Sequence, residues 1–364
     1  MTTPYLVIDL DKIEHNTRTI VEMCHKHDIK VTGVTKVTCG HPQIASAMLR
    51  GGVTTLADSR LENIQRLIKA GVDTQFMLLR LPSLSSVDEV VKSVAVSLNS
   101  ELAVLEALSI AAQQYDRKHD VILMVDLGDL REGIMPDELI KIVNETNKLS
   151  GIHIKGIGTN LACFGGVIPD EYNMNRLVDL ATEVERSCNI QLEWISGINS
   201  SGLNLIATGG MPQRVNHARI GEAILLGRET THRNPWPNTY QDAFMLHAEV
   251  LELKKKPSVP LGIRSEDAFG AYPDFEERGE MLRALLNVGR EDIDVKGIAS
   301  QDPGVRILGA SSGYLVVDAT QATDNIQVGN TLSFSLNYAA LLTAMTSEYV
   351  KKHAYQGGVL VKAE

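Results

Sequence analysis

The chain has 364 residues, 44% of them hydrophobic and 22% charged, which is ordinary globular usage with material for a large core; a disulfide- or metal-stapled miniprotein and a disordered chain are excluded. Its net charge of −10 offers nothing to phosphate backbones or anionic lipid, so no nucleic-acid partner is expected. Four scattered cysteines (Cys24, Cys39, Cys163, Cys188) form no CxxC pair, and the sequence shows neither a basic-then-apolar leader nor the roughly 20-residue apolar run of a membrane span. The expectation is a cytoplasmic protein with no membrane partner.

Tyr5–Leu10 is the first strand-like run. From residue 30 to about 228 short β-branched runs then alternate with longer segments of helical periodicity, the pattern of βα units on a parallel sheet. The expected strands are Val31–Lys36, Thr54–Ala57, Gln75–Arg80, Val94–Leu98, Val121–Asp126, Ile154–Thr159, Leu192–Gly197 and Asn216–Ile220. Eight is the number that closes a (β/α)8 TIM-like barrel. Lys36, Asp58, Arg80, Asn99, Asp126, Asn160, Asn199-Ser200 and Arg219 end these runs or follow them, so polar groups gather at the rim where barrels carry their active sites. Exposed loops are polar in any case, so the gathering alone does not define a site.

At Arg233-Asn234-Pro235-Trp236-Pro237 the rhythm stops in a stiff, non-helical connector. Beyond it Phe244–Leu253, Arg306–Leu308, Tyr314–Asp318 and Thr331–Ser335 read as strands between Gly, Pro and Asp turns. The expected organisation is a barrel over residues 1–234 and a mostly β domain over residues 235–364, with residues 1–10 also a candidate to join that second sheet.

Lys36 closes the first barrel run, and a lysine desolvated at a barrel mouth suits imine chemistry. The alternative is a lysine in a structural ion pair, as expected for Lys155 in mid-strand. Gly197-Ile-Asn-Ser-Ser-Gly202 after the seventh run and Arg219-Ile-Gly-Glu222 after the eighth supply the small residues and free N–H groups that cradle a phosphate, although a plain glycine turn would read the same way. A lysine nucleophile opposite a phosphate cradle suggests pyridoxal 5'-phosphate. Arg219 facing the pyridine nitrogen could only donate, leaving that nitrogen unprotonated; pairing with Glu222 is the alternative. Arg131 has the fork to bind a substrate carboxylate, while Tyr314 and Tyr338 are either packed residues or an acid/base and a ligand. The ten histidines make no metal-binding set, and neither GxGxxG nor GxxxxGK[ST] occurs.

Seven segments together resemble the alanine racemase-like group of pyridoxal-phosphate enzymes, nearly end to end: Val34-Thr-Lys36-Val-Thr-Cys, Leu56-Ala-Asp-Ser-Arg60-Leu-Glu-Asn, Val125-Asp-Leu-Gly-Asp-Leu-Arg-Glu-Gly133, Gly156-Ile-Gly-Thr-Asn160-Leu, Arg219-Ile-Gly-Glu-Ala-Ile-Leu-Leu-Gly-Arg-Glu229, Asp267-Ala-Phe-Gly270 and Met345-Thr-Ser-Glu-Tyr-Val350. Within the group the chain is most similar to the branch that racemises ornithine. The resemblance implies a TIM-like barrel with a C-terminal β domain, and a head-to-tail homodimer in which that domain completes the neighbour's site. Lys36 would hold the cofactor and act as base on one face of the substrate Cα. Arg219 would meet the pyridine nitrogen, Ser200, Ser201, Gly221 and Tyr338 the phosphate, Asn160 the ring, and Arg131 the substrate. The chain departs from the group at four places: Phe269 stands where the second catalytic tyrosine belongs, Ser311-Ser312-Gly313-Tyr314 replaces Ser-Ser-Asp-His, Asn160 replaces a ring-stacking histidine, and Met124 replaces a modified lysine. Inversion needs a second acid/base on the opposite face, and Tyr314 of a neighbouring copy, with Asp267 second, is expected there. The implied activity is racemisation of ornithine or a related basic or small amino acid. A D-threonine aldolase-like enzyme on the same scaffold and a cofactor-homeostasis protein are the alternatives, the latter disfavoured by the extra β domain.

Overall fold

The computed structural model describes residues 2–361. Contacts divide them into two units, one of residues 10–241 and one of residues 2–9 with 242–361.

The chain begins with β1 (Tyr5–Asp9), which belongs to the second unit. The first unit runs α1 (Leu10–His25), β2 (Lys30–Val34), α2 (Pro42–Arg50), β3 (Thr55–Asp58), α3 (Leu61–Lys69), β4 (Gln75–Leu78), α4 (Val87–Ser93), β5 (Val96–Asn99), α5 (Leu102–Gln114), β6 (His119–Met124), α6 (Leu139–Asn147), β7 (Ile152–Gly158), α7 (Glu171–Cys188), β8 (Trp194–Ser196), α8 (Leu203–Ala207), β9 (His217–Ile220) and α9 (Glu222–Leu226). Each of the eight expected barrel runs is a strand, within two residues at either end. All their ladders are parallel, and their spatial order is their chain order with β9 returning beside β2. The circle closes between β8 and β9 through a parallel bridge of Ile198 with Ala218. The Asn216 amide assists, accepting from Ile195 N at 2.9 Å and donating to Glu193 O at 2.9 Å.

Strands wrapped by helices are buried on both faces and therefore read as apolar runs rather than alternating ones. Val34, Ala57, Met77, Val96, Leu98, Ile122, Met124 and Trp194 fill the barrel interior, so the cylinder is a packed core rather than a pore. Gly156 is dictated by this packing, since a Cβ there would stand 1.9 Å from the Trp194 carbonyl oxygen on the next strand. Lys155 behaves as a structural lysine: it pairs with Asp120 at 2.9 Å and Glu193 at 3.1 Å and lies over the Trp194 ring.

The connector at Pro235 stays on the barrel unit, and the contact boundary falls at 241/242. Arg228 bridges Pro235, Trp236 N donates to Gly227 O at 2.8 Å, and Tyr240 exchanges two hydrogen bonds with the Asn16 side chain of α1.

The second unit contains β10 (Phe244–Pro257), β11 (Glu280–Leu286), β12 (Ile298–Ser300), β13 (Arg306–Ala310), β14 (Leu315–Asp318), β15 (Thr331–Leu336), α10 (Tyr338–Thr346), β16 (Lys351–Gln356) and β17 (Val359–Val361). Its sheet has the order β13-β14-β11-β10-β1-β16-β17, with β15 pairing β10 and β12 pairing β15. β1 joins antiparallel to β10 and parallel to β16, so the first residues of the chain sit in the middle of a sheet made by the last. Leu6, Ile8, Phe244, Leu246, Ala248, Ala284, Leu286, Leu315, Val317 and Phe334 are buried at alternate positions of these strands, the period-two pattern of a half-buried sheet.

Candidate active site

β2 ends at Val34, and Lys36 opens a single 3-10 turn over Lys36–Thr38 that stops where Cys39 and Gly40 take positive φ angles. The turn is braced from the next strand. Thr35 N donates to Ala57 O at 2.9 Å, and Thr35 Oγ1 donates to Asp58 Oδ2 at 2.7 Å. Asp58 also accepts from Asn63 Nδ2 and Arg60 N, which locks a carboxylate that is only 1% exposed; burial pushes its carboxyl above the usual range against those donors. Lys36 itself is half-buried, and its side-chain amine has no hydrogen-bond or ion-pair partner among the described residues. An amine in that setting is available as a nucleophile.

The β2–β9 register sets Thr32 opposite Arg219 and Gly33 opposite Ile220, so Arg219 lies deeper on the neighbouring strand of the same rim. Arg219 is 5% exposed, and its guanidinium donates to Ser196 O at 2.9 Å, to Thr159 O at 2.8 Å and to the Ser196 hydroxyl. All three acceptors are neutral. Glu222, the nearby carboxylate, pairs with Arg233 at 2.7 Å, and burial pushes its carboxyl up. Burial lowers Arg219 to about 10, which leaves it cationic at neutral pH. Behind Ser196 stands His217, whose Nδ1 shares a 2.6 Å hydrogen bond with Ser196 Oγ and whose Nε2 shares one of 2.9 Å with Thr32 Oγ1. Its ring stacks on Trp194 at 4.2 Å, and burial, then Arg219, hold it far below the usual imidazole range, hence neutral.

Beyond β8, Asn199 caps the turn Ser200–Gly202. Asn199 Oδ1 accepts from Ser201 N at 2.7 Å and from Ser201 Oγ at 2.6 Å, so both Ser201 donors are engaged in holding the turn. Ser200 Oγ accepts from Ala223 N at 3.1 Å, which ties the loops after β8 and β9 together. Gly221 lies between them against Val34, where a Cβ would come within 3.1 Å of the Val34 side chain. At the end of β7, Asn160 Oδ1 accepts from Asn199, while Asn160 Nδ2 and Thr159 Oγ1 are buried without a partner. Buried polar atoms are nearly always satisfied, so two orphans beside Arg219 mark a place for a ligand.

The loop after β6 completes the rim. Asp126 Oδ1 accepts from Gly128 N and Leu130 N, and the buried Asp129 accepts from the N–H groups of Cys163, Phe164 and Val167, pinning the loop after β7. Burial opposes the charge on Asp129, yet these backbone donors prevail and hold its carboxyl below the usual range. Arg131 pairs with the adjacent Glu132, their side chains 42% and 16% exposed. Met124 is buried in the barrel core.

In the second unit Tyr314 ends the four-residue link between β13 and β14 with its side chain 49% exposed. Arg290 N donates to Ser311 O, and the Arg290 guanidinium lies 4.2 Å over the Phe269 ring and 3.7 Å from Asp267 Oδ2. Asp267 Oδ1 accepts from Phe269 N at 2.8 Å and Ala271 N at 3.0 Å; those donors, with Arg290, hold its carboxyl below the usual range. Asp267 thus anchors a turn, and Arg290 gathers that turn and the Tyr314 hairpin at one corner. Tyr338 begins α10, after Asn337 caps it by accepting from Ala340 N.

Sequence reading therefore named Lys36, Arg219, Asn160, Ser200, Ser201, Gly221 and Arg131 on one rim of the first unit, and Tyr314, Asp267 and Tyr338 in the second. It missed the roles of Asp58, Asp129, Ser196 and His217. A signal existed for Asp58, a charged residue closing an otherwise apolar strand; none existed for the others, whose partners lie far away in the chain.

Comparisons with known proteins agree with this fold. The alanine racemase N-terminal domain family matches residues 8–229. The ornithine racemase of Acetoanaerobium sticklandii is 41% identical over 350 residues, 96% of this chain and 99% of that protein. The lysine racemase of Thermotoga maritima is 40% identical over 352 residues, 97% of this chain and 98% of that protein. Among solved structures, the alanine racemase of Bartonella henselae with covalently bound pyridoxal phosphate superimposes with a TM-score of 0.74 at 19% identity, covering 98% of this chain and all of that one.

Proposed function

The chain belongs to the alanine racemase family, and on that premise we propose that it is a pyridoxal-5'-phosphate-dependent racemase whose substrate is ornithine or another amino acid with a distal amine. The observation that carries the reading is the pair Lys36 and Arg219, a half-buried unpartnered amine and a buried guanidinium held by neutral acceptors, on adjacent strands of one barrel rim. Full-length similarity to racemases of ornithine and lysine supports the choice of substrate.

The rim fits the cofactor. Lys36 would hold it covalently, Arg219 would donate to its ring nitrogen, and Ser200 with the N–H of Gly221 would receive its phosphate, steadied by Ser201. Thr159 Oγ1 and Asn160 Nδ2 are the orphaned atoms that its bound ring would relieve. When bound, the group supplies an electrophilic carbon for the substrate amine and a sink for the electrons of the Cα–H bond.

The rest is done by side chains. Lys36 Nζ takes the Cα proton on one face, or delivers it in the reverse direction. Arg219, cationic and a donor only, would hydrogen-bond the ring nitrogen without giving up its proton, which would weaken the electron sink the group supplies and favour return of a proton to Cα over side reactions. Arg131 binds the substrate carboxylate with its fork. The opposite face needs a second acid/base, and Tyr314 from a neighbouring copy in a head-to-tail homodimer fills that role. It is preferred to Asp267, whose carboxylate is engaged by two backbone donors and faces Arg290. No helix among the described residues is long and apolar enough to cross a membrane, and the four scattered cysteines with no CxxC pair support a cytoplasmic location.

The test is to incubate purified protein with single enantiomers of ornithine, lysine, alanine and serine and to follow optical inversion together with deuterium uptake at Cα. Inversion of ornithine or lysine is expected, with loss of both inversion and the visible imine absorbance in Lys36→Ala. An imine absorbance that persists in Lys36→Ala without added amine would overturn the assignment.

A further inference from the structure

A guanidinium grips a carboxylate through two parallel hydrogen bonds, so it serves a substrate only when its backbone holds it at one angle and distance. The Arg131 side chain, 42% exposed, bonds among the described residues to the adjacent Glu132 of the same loop and to nothing outside it. Where Arg131 points is therefore set by the loop after β6.

That loop is pinched at its base. Asp126 N donates to Ile134 O at 3.0 Å, Ile134 N donates to Met124 O at 2.7 Å, and Gly133 crosses so closely that a Cβ there would stand 2.3 Å from Asp126 N. Asp126 Oδ1 reaches inward as far as Leu130 N at 3.2 Å. Leu130, between Asp129 and Arg131, takes a φ of 53° although it is 70% exposed. A leucine stays in that conformation only where the chain on its flanks is fixed.

Asp129 does the fixing. It is 2% exposed, and its carboxylate leaves its own loop for the next one: Oδ2 accepts from Phe164 N at 2.8 Å and Cys163 N at 3.3 Å, and Oδ1 from Val167 N at 3.3 Å. Its carbonyl accepts from Gly165 N at 3.1 Å, an approach that a Cβ on Gly165, 2.7 Å from that oxygen, would block. From the other side Asn199 Nδ2 donates to Leu161 O at 2.8 Å and Asn160 Oδ1 at 3.2 Å. The loop after β7 is thus anchored to the barrel end at Asn199, and Asp129 fastens the loop bearing Arg131 to that anchor.

We propose that Asp129 is a positioning residue of this site: latched onto the loop after β7, it aims Arg131 at the carboxylate of the substrate. The inference rests on the racemase reading and on the role given there to Arg131. It is tested in the holoenzyme with Asp129→Asn, Asp129→Ala, Arg131→Gln and the double variant Asp129→Asn/Arg131→Gln. The probes are ornithine and 1,4-diaminobutane, which is ornithine with its carboxylate replaced by hydrogen. Dissociation constants are read from the change in absorbance of the bound cofactor, and hydrogen exchange follows the segment 162–168.

Each single variant should lower the preference for ornithine over the diamine roughly ten- to a hundredfold, with the diamine constant unchanged. The double variant should lose little more than Arg131→Gln alone, because both act through one contact. Segment 162–168 should exchange faster in Asp129→Ala. If both Asp129 variants keep the wild-type preference, if the two ligands weaken together, or if the losses add in the double variant, Asp129 does not act through Arg131 and the inference is wrong. An unchanged preference in Arg131→Gln would remove the carboxylate role of Arg131 and the inference with it. Wild-type protein that inverts neither ornithine nor lysine would refute the racemase reading instead, and the binding preference would still decide for or against Asp129.

Discussion

Replacing Asp58 with alanine tests whether the strand next door sets up Lys36. The carboxylate is 1% exposed and accepts from Thr35 Oγ1 at 2.7 Å, Asn63 Nδ2 at 2.9 Å and Arg60 N at 3.0 Å. Thr35 and Asn63 are themselves buried, and each buried donor left without an acceptor costs about 1–3 kcal/mol. Relief of the desolvated charge offsets part of this, so a net loss of about 3 kcal/mol is expected, or a fall of roughly 6–12 °C in Tm for a unit of this size. Asp58→Asn keeps a carbonyl for Asn63 and Arg60, and the Thr35 hydroxyl can turn to accept from the new amide, so it should lose about 1 kcal/mol. Thermal unfolding measures both variants, and the rate at which added pyridoxal phosphate forms its imine reports whether Lys36 is still presented. The order wild type, Asn, Ala is expected in both measurements. Equal Tm values for the two variants with unchanged imine formation would refute the brace.

Two further outcomes follow from the structure. Tyr314→Phe should reduce inversion in both directions by roughly a hundredfold or more, the scale of one acid/base group, while Lys36 continues to exchange the Cα proton of one enantiomer for deuterium. Full inversion in that variant would rule Tyr314 out as the second base. His119, buried on β6 with Nε2 2.8 Å from Ser97 Oγ, is lowered by burial to about 4 from 6.5. A depressed imidazole favours the folded state above its unfolded value, and this contribution is lost as pH falls from 6.5 toward 4. The loss is about 3 kcal/mol, read from urea midpoints against pH, and His119→Gln should flatten that slope.

The barrel was legible because parallel strands covered by helices are buried on both faces, which leaves uninterrupted apolar runs such as those around Val34 and Ile122. Lys36 and Arg219 were legible because a charged residue at the end of such a run has little other reason to be there. The second unit was read less completely. Phe244, Thr331 and the runs they open stood out, but β16 carries the polar sequence Lys351-Lys-His-Ala-Tyr-Gln356 and buries only Ala354, so it has no alternation to detect. α10 is apolar on nearly every side and shows no helical face in Tyr338–Thr346.

Periodicity and local composition carried the order of the barrel elements, the rim on which chemistry could collect, and the residue types available there. Tertiary structure alone decided how those residues are held. Arg219 is fixed by Thr159, 60 positions away, and by Ser196, 23 positions away; β1 finds its partners in β10 and β16 near the other end of the chain. Hydrogen bonds of that kind form only after loop closure has brought distant strands into register. The identity of an acceptor such as Ser196 or Thr159 is therefore a property of the closed barrel and not of any local stretch of the chain.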